Sequence, residues 1–236
     1  MPSARRPVVL SLGGSVLLRG DEDVRYLREL SKTLMEVGEH HPLAVVVGGG
    51  RTAREYIQLG RELGLPESDL DELGIDVTRL HAHVLALLLG TAAPPRPLLT
   101  VTEAAHEVGR WPVVVMGGTE PGHSTDAVAA VLAERIRAER MVNATRTPGL
   151  FDKDPEKFPD AKRIPLLDMG EFRRRVFEGT RDGVAGQSFP FDRLGVDRLF
   201  RAKIPLAILN GRNLPQLRAA LEGKAFEGTL VQAPRG

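Results

Sequence analysis

Three apolar runs in this chain stop at glycines, and that recurrence constrains the fold more than any other feature. Val8–Leu12 leads into Gly13-Gly14-Ser15, Leu43–Val47 into Gly48-Gly49-Gly50, and Val113–Met116 into Gly117-Gly118. Near-continuous apolar runs of this length suit strands buried on both faces, as in a parallel sheet covered by helices. Glycine costs about 0.5–1 kcal/mol relative to alanine in a regular element, so its return at three strand ends asks for a reason. Loops of this kind present free backbone N–H groups to an anion, most often phosphate. None of the three matches GxxxxGK[ST] or GxGxxG, so any nucleotide is held by another arrangement.

The third loop is the richest. Trp111–Ala130 reads WPVVVMGGTEPGHSTDAVAA: a strand, a glycine loop, a Pro121-Gly122 turn and then a helix. Ser124 or Thr125 suits its N-cap, with Val128, Val131 and Leu132 on the inner face. Taken alone, the stretch also describes an ordinary strand-to-helix connection.

The segments between the strands carry helical periodicity. Leu27, Leu30, Leu34 and Val37 make one apolar face. A helix is expected from Thr52 to Leu63, then a break at Leu65-Pro66 and Ser68-Asp69, then a long helix over Ile75–Leu89. A short helix over Glu103–Gly109 precedes the third strand, and Arg140–Thr145 is a fourth. Residues 156–190 form an irregular excursion with one helix near Met169–Phe177. Regularity returns with a helix over Arg193–Arg201, the strand Pro205–Leu209, a helix Leu214–Leu221 and a strand Phe226–Val231. Strand–helix alternation of this kind means an α/β fold with a mostly parallel sheet and helices on both faces.

At 236 residues the chain is long enough for a substantial core. The formal net charge of +1 gives no global reason to expect nucleic acid or a membrane surface as partner. With no cysteine, disulfides, thiolate metal sites and cysteine nucleophiles are excluded. The opening MPSARRPVVLSL does not read as a secretory signal, and no apolar run reaches spanning length, so a cytoplasmic location is expected. His40-His41 and His81/His83 invite a metal reading, but i,i+2 histidines on a helix do not face each other; no protein metal site is expected.

The blocks VVLSLGGS, VVVGGGRTAREYI, LDELGIDVTRL, VVMGGTEPGHSTDAVAA and GLFDKDP resemble, in order and spacing, the amino acid kinase family. Within it they are most similar to the archaeal-type uridylate (UMP) kinases. The resemblance runs from Val8 to about Val231, and the GGTxPGHxTDAVAA block is its most specific part. It implies one three-layer α/β/α domain, with an acceptor lobe over about residues 1–140 and an ATP lobe over about 141–236. It further implies transfer of a phosphoryl group from ATP to UMP in pyrimidine biosynthesis, Mg2+ arriving with ATP, and a homo-oligomer, a hexamer.

Carried over by position, the resemblance places Gly49, Asp71, Thr119, Glu120, Pro121, Gly122, His123, Ser124 and Thr125 around UMP. It places Gly14, Ser15, Gly50 and Arg54 around the ATP phosphates, with Thr145, Phe151 and Asp154 bordering the adenosine. Arg54 and Asp126 take catalytic roles, Arg54 neutralising charge on the transferring group and Asp126 orienting the site. The physics fits Arg54, a fixed cation one helical turn beyond a glycine nest. Plainer roles stand beside these: a solvated helix arginine for Arg54, a helix cap for Asp71, a backbone contact for His123, and a first-turn acid favoured by the helix dipole for Asp126.

The sequence departs from the family pattern at several positions. Ser11 stands where much of the family has a phosphate-binding lysine. In Asp192-Arg193-Leu194-Gly195-Val196-Asp197 an acid, Asp197, replaces a second one, leaving Arg198 or Lys153 as substitute cations. Thr147-Pro148-Gly149 replaces a VDG, and His81 an asparagine. Arg173-Arg174-Arg175 reads as a solvated helix face. A non-catalytic binding protein on the same fold, of the molybdate/tungstate storage kind, is the alternative; an acid suited to a ribose hydroxyl at Asp71 speaks for a nucleotide.

Overall fold

In the computed structural model, which describes residues 5–18, 20, 22–155, 157–179 and 191–234, the strands are β1 (Val8–Leu12), β2 (Leu43–Val47), β3 (Val113–Met116), β4 (Arg140–Thr145), β5 (Leu166–Asp168), β6 (Leu206–Asn210) and β7 (Thr229–Gln232). They form one sheet in the order β3-β2-β1-β4-β6-β7-β5. From β3 to β6 every neighbour is parallel; β7 runs antiparallel to β6, and β5 pairs parallel with β7.

Side chains along a strand alternate between faces, and here both faces are apolar. Val8, Leu10, Leu12, Val45 and Val47 join a cluster with the helices α1 (Gly14–Leu17), α2 (Asp23–Gly38), α4 (Glu67–Leu89) and α9 (Leu214–Leu221). Val9, Val46, Val114 and Met116 join a second cluster with α5 (Val101–Glu107), α6 (Thr125–Arg135), α7 (Met169–Gly179) and α8 (Arg193–Ala202). The remaining helix, α3 (Gly50–Glu62), lies outside the first layer, packed on α4. The result is the three-layer α/β/α sandwich that the sequence implies.

Several boundaries differ from expectation: α5 covers Val101–Glu107 rather than Glu103–Gly109, β7 starts at Thr229 rather than Phe226, and α4 differs most. The long helix begins at Glu67, not Ile75, because Pro66 at φ −60°, ψ 147° starts it and Glu67 and Asp69 populate its first turn. Residues read as a break are an N-terminal signal, and Asp71 therefore lies inside the helix. The excursion contains the three-residue β5, too short to show a period; its residues 180–190 lie outside those described.

By length and composition alone, Glu67–Ala92 is apolar enough to cross a membrane. In the fold one side of α4 is core, with Leu70, Ala82, Leu85 and Leu89 buried, while Leu80 and Leu87 stay 60% and 65% exposed.

Candidate active site

All three glycine loops lie at the carboxyl edge of the parallel strands, where open α/β sheets bind ligands. The first two touch backbone to backbone. A Cβ on Gly14 would lie 2.3 Å from Gly50 N and 2.4 Å from Gly48 O, and Gly50 itself has φ +60°. Only glycine permits this approach. The loops are joined to the sheet by Gly48 N–H to Leu12 O, 2.9 Å, and Gly13 N–H to Ala144 O, 3.0 Å. Neither α1 nor α3 has a side-chain N-cap, so their first amides are left for an anion. Gly14, Ser15 and Gly50 thus meet as one nest. Arg54, one turn into α3, is exposed and makes no hydrogen bond or ion pair among the described residues.

The third loop closes a cleft of ≈ 450 Å³. Gly49, Asp71, Glu120, Pro121, Gly122, His123, Ser124 and Thr125 all line it, together with the apolar Ala53, Ile57 and Ile75. Asp71 reaches across from α4: its Oδ2 accepts the Gly122 N–H at 3.0 Å. Gly122 has φ +80° with open space where a side chain would be. His123 pairs with Glu120, Nδ1 to Oε1 at 3.3 Å, at the rim. Thr119 does not line the cleft; its carbonyl accepts from Arg79 Nη2 at 3.3 Å. Deeper in, Thr78 Oγ1 accepts the Gly118 N–H at 2.6 Å, and His81 Nδ1 donates to Gly48 O at 3.0 Å. The histidine at the position of the expected asparagine therefore still holds the second glycine loop.

At the junction of the nest and the cleft sits Asp126, in the first turn of α6. Ser11 and Asn143 are register partners across β1 and β4, and both hydrogen-bond its carboxyl, Ser11 Oγ donating at 2.5 Å. Burial pushes the Asp126 pKa up to about 6, against the lowering effect of the Ser11 bond, and the neighbouring Asp192 adds to the rise. Asp192 caps α8 by accepting the Gly195 N–H at 2.7 Å, while its other oxygen accepts from Ser124 Oγ. Ser124 in turn caps α6 through Ala127 N–H, 3.1 Å. One hydroxyl and one carboxylate tie two helix N-termini together.

Thr145 ends β4 and bonds within its own turn, its Oγ1 accepting the Thr147 N–H at 3.0 Å. Phe151 bridges to Arg163, and Asp154 pairs with Lys157 at 3.7 Å. Thr145 follows Ala144, whose carbonyl accepts the Gly13 N–H, and Phe151 and Asp154 lie in the loop after β4. The two substitute cations are both engaged: Arg198 with Glu134 at 2.9 Å and Lys153 with Asp160 at 2.5 Å. Asp197 is held by Arg173 and Arg201, at 2.8 and 2.7 Å. Arg173 is therefore not a merely solvated arginine; it joins α7 to α8 and lies over the Phe177 and Phe200 rings.

Sequence reading missed Thr78, Arg79, Asn143 and the capping role of Asp192. A signal existed for one pair: Ser11 and Asn143 are polar residues at core positions of apolar strands, and a buried polar group needs a partner. Contacts from α4 carried no such signal, because they depend on where that helix crosses the sheet.

Comparison with known proteins gives the same grouping. Residues 6–210 match the model of the amino acid kinase family. The chain is 44% identical over 226 residues to a uridylate kinase of Methanospirillum hungatei, covering 95% of this chain and 94% of that one. It is 40% identical over 224 residues to a uridylate kinase of Methanobrevibacter smithii, covering 95% and 98%. Among solved structures, uridylate kinase from Archaeoglobus fulgidus superposes with a TM-score of 0.83 at 37% identity, covering 95% of this chain and 99% of that one. UMP kinase from Bacillus anthracis shares the fold, with a TM-score of 0.77 at 19% identity over 96% and 97%. The chain belongs to the amino acid kinase family.

Proposed function

We propose that this protein is a UMP kinase, a phosphotransferase that moves the γ-phosphoryl group of ATP to UMP and releases UDP and ADP. The observation that carries the reading is the Asp71–Gly122 contact, which closes a nucleotide-sized cleft next to an uncapped glycine nest. Full-length relatives named uridylate kinase at up to 44% identity support it.

In this reading UMP lies in the cleft, its base against Ala53, Ile57 and Ile75 and its ribose near Asp71. ATP lies along the Gly14–Ser15–Gly50 nest, with its adenosine by Thr145, Phe151 and Asp154. An oxygen of the UMP phosphate attacks the γ-phosphorus in line. The bond from that phosphorus to the β,γ-bridging oxygen breaks, and ADP leaves with its electron pair. Such transfer needs positioning and charge neutralisation rather than a protein nucleophile. Arg54, with no carboxylate partner, and the free amides of α1 and α3 supply that neutralisation. Asp126, braced by Ser11 and Asn143, orients the junction of the two subsites. A Mg2+ ion arriving with ATP would offset further negative charge on its phosphates with little ligation from the protein. That division fits the two nearby carboxylates, both already engaged: Asp126 by Ser11 and Asn143, Asp192 by Ser124 and Gly195.

The acceptor subsite falls within residues 1–140 and the adenosine subsite within 141–236, the two lobes of one domain. The reaction belongs to pyrimidine nucleotide synthesis in the cytoplasm. The exposed apolar residues Tyr56 and Leu59 on α3, Leu63 at its C-cap, and Leu80, Val84 and Leu87 on α4 support a homo-oligomer, of which a hexamer is one closed form.

A coupled assay of ADP release with UMP, CMP and other acceptors tests the reading. Turnover is expected with UMP. Absence of turnover together with tight binding of ATP or an oxyanion sinks it and favours the storage-like alternative.

A further inference from the structure

The opposite edge of the sheet carries a second cluster of cations. The helices α6 and α8 pack side by side, and each ends in the same backbone device. After α6, Arg137 N–H bonds Glu134 O at 3.1 Å and Ala138 N–H bonds Ala133 O at 2.9 Å; after α8, Lys203 N–H bonds Phe200 O at 3.2 Å and Ile204 N–H bonds Leu199 O at 3.0 Å. Such endings place one residue in the left-handed region and favour glycine there. Here the two residues are Arg137 at φ +50° and Lys203 at φ +54°, the only non-glycine residues of positive φ among those described. Two strained positions, at two separate helix ends, both carry long cations.

Both residues line one cavity of ≈ 650 Å³, which Arg6, just before β1, also lines. Glu134, Glu139 and Arg140 complete its charged groups. Glu134 is taken by Arg198 and Glu139 by Arg140. Arg6, Arg137 and Lys203 have no carboxylate partner among the described residues. The C-terminal helix dipoles account for some preference for cations, but that preference does not require a left-handed arginine or lysine, and it does not reach Arg6. Local rules broken without compensating contacts mark functional sites.

We infer that this cavity binds the polyphosphate chain of an anionic ligand, with Arg6, Arg137 and Lys203 as its three cationic contacts. Three cations drawn from three segments to one cavity suit several linked phosphates better than a single carboxylate. No aromatic side chain lines the cavity, so phosphate rather than a stacked base is what it reads. The site is separate from the glycine nest by roughly 20 Å, the rise over the six steps from Pro7 to Gly13.

The test is calorimetric titration of the full chain at low salt with inorganic tripolyphosphate, against the double variant Arg137→Gly/Lys203→Gly. The glycine nest can also take this probe, so the readout is the difference in stoichiometry. The wild-type chain is expected to bind one equivalent more than the double variant, or to bind that equivalent at least about tenfold more tightly, with the difference shrinking as salt rises. The double variant is expected to melt at an equal or higher temperature, because glycine relieves both left-handed positions. Should it lose its fold, Arg6→Ala, which touches no helix end, decides the matter by the same count. Equal stoichiometry and affinity in wild type and variant overturn the site. A parallel titration with UTP separates the sources of the phosphate chain: equal affinity assigns a free polyphosphate, and tighter binding assigns a nucleoside triphosphate.

Discussion

Ser11 donates its hydroxyl to Asp126 Oδ1 at 2.5 Å, so a position that the family resemblance associates with a phosphate-binding lysine here braces a carboxylate instead. The wider arrangement follows from it. Asn143, the register partner of Ser11, also bonds Asp126, and the acid beside both subsites is oriented from the sheet below.

Asp126 gives the first prediction. Its folded pKa, about 6, lies above the ordinary 3.8. A raised acid binds its proton more tightly when folded. Its contribution to stability is therefore complete below about pH 3.8 and falls as pH rises through about 6. At pH 7 the ionised group costs the fold up to roughly 3 kcal/mol. Asp126→Asn keeps an acceptor for Ser11 but cannot ionise. It is expected to be more stable than wild type at pH 7, to lose the stability slope between pH 4 and 6, and to lower kcat at least about a hundredfold. Urea midpoints across that pH range and a rate assay check it; a variant that is no more stable at pH 7 removes the buried-charge account.

Arg54 separates rate from folding more cleanly. Its side chain is exposed and unpaired, so Arg54→Ala should shift stability by no more than about 0.5 kcal/mol. Loss of a cation at the transferring phosphoryl group should lower kcat roughly 10²- to 10³-fold. Thermal melting beside steady-state kinetics measures both, and near-normal kcat would return Arg54 to the role of a solvated helix residue.

At Asp71 the expected effect is selective for one substrate. Removing an acceptor of a charge-assisted hydrogen bond costs about 1.5–3 kcal/mol. Asp71→Ala frees Gly122 and removes the proposed ribose partner. KM for UMP should rise about ten- to a hundredfold, with KM for ATP changed much less. Parallel rises in both would mean that Asp71 only supports the fold.

The sequence made the parallel core, the three glycine loops and most of the cleft legible, because strand burial and glycine punctuation are local properties. Gly49, Asp71 and Glu120–Thr125 line one cleft, and Gly14 meets Gly50. What was not legible depends on distant packing. Thr78 and Arg79 matter because α4 crosses under the third loop, and α4 itself starts earlier than its apolar periodicity suggested, since Pro66 opens it. Lys153 and Arg198 looked available from sequence, yet Lys153 has Asp160 of its own loop against it and Arg198 has Glu134 of α6.

The outer apolar stripe predicts assembly. Leu80 and Leu87 lie about two turns apart on the solvent side of α4, 60% and 65% exposed. Leu80→Glu/Leu87→Glu should leave the monomer folded, because neither side chain is in the core. It should shift the mass measured by sedimentation from an oligomer to a monomer. An unchanged mass would place the interface elsewhere.

The nest gives the last prediction, and a control exists within the same chain. A Cβ at Gly14 would meet the Gly50 nitrogen at 2.3 Å and the Gly49 carbonyl carbon at 2.5 Å, while Gly64, at φ +75°, has nothing within 4 Å. Gly64→Ala therefore has only the left-handed backbone cost, about 1–2 kcal/mol. At Gly14 the obstacle is backbone, which no rotamer change relieves, so the first two loops must separate. Gly14→Ala should lose more stability than Gly64→Ala. It should also weaken ATP binding at least about tenfold, because the amides that form the nest no longer converge. Comparable melting temperatures for the two variants, with ATP affinity retained in Gly14→Ala, would show that the close approach of the loops is not what builds the phosphate site.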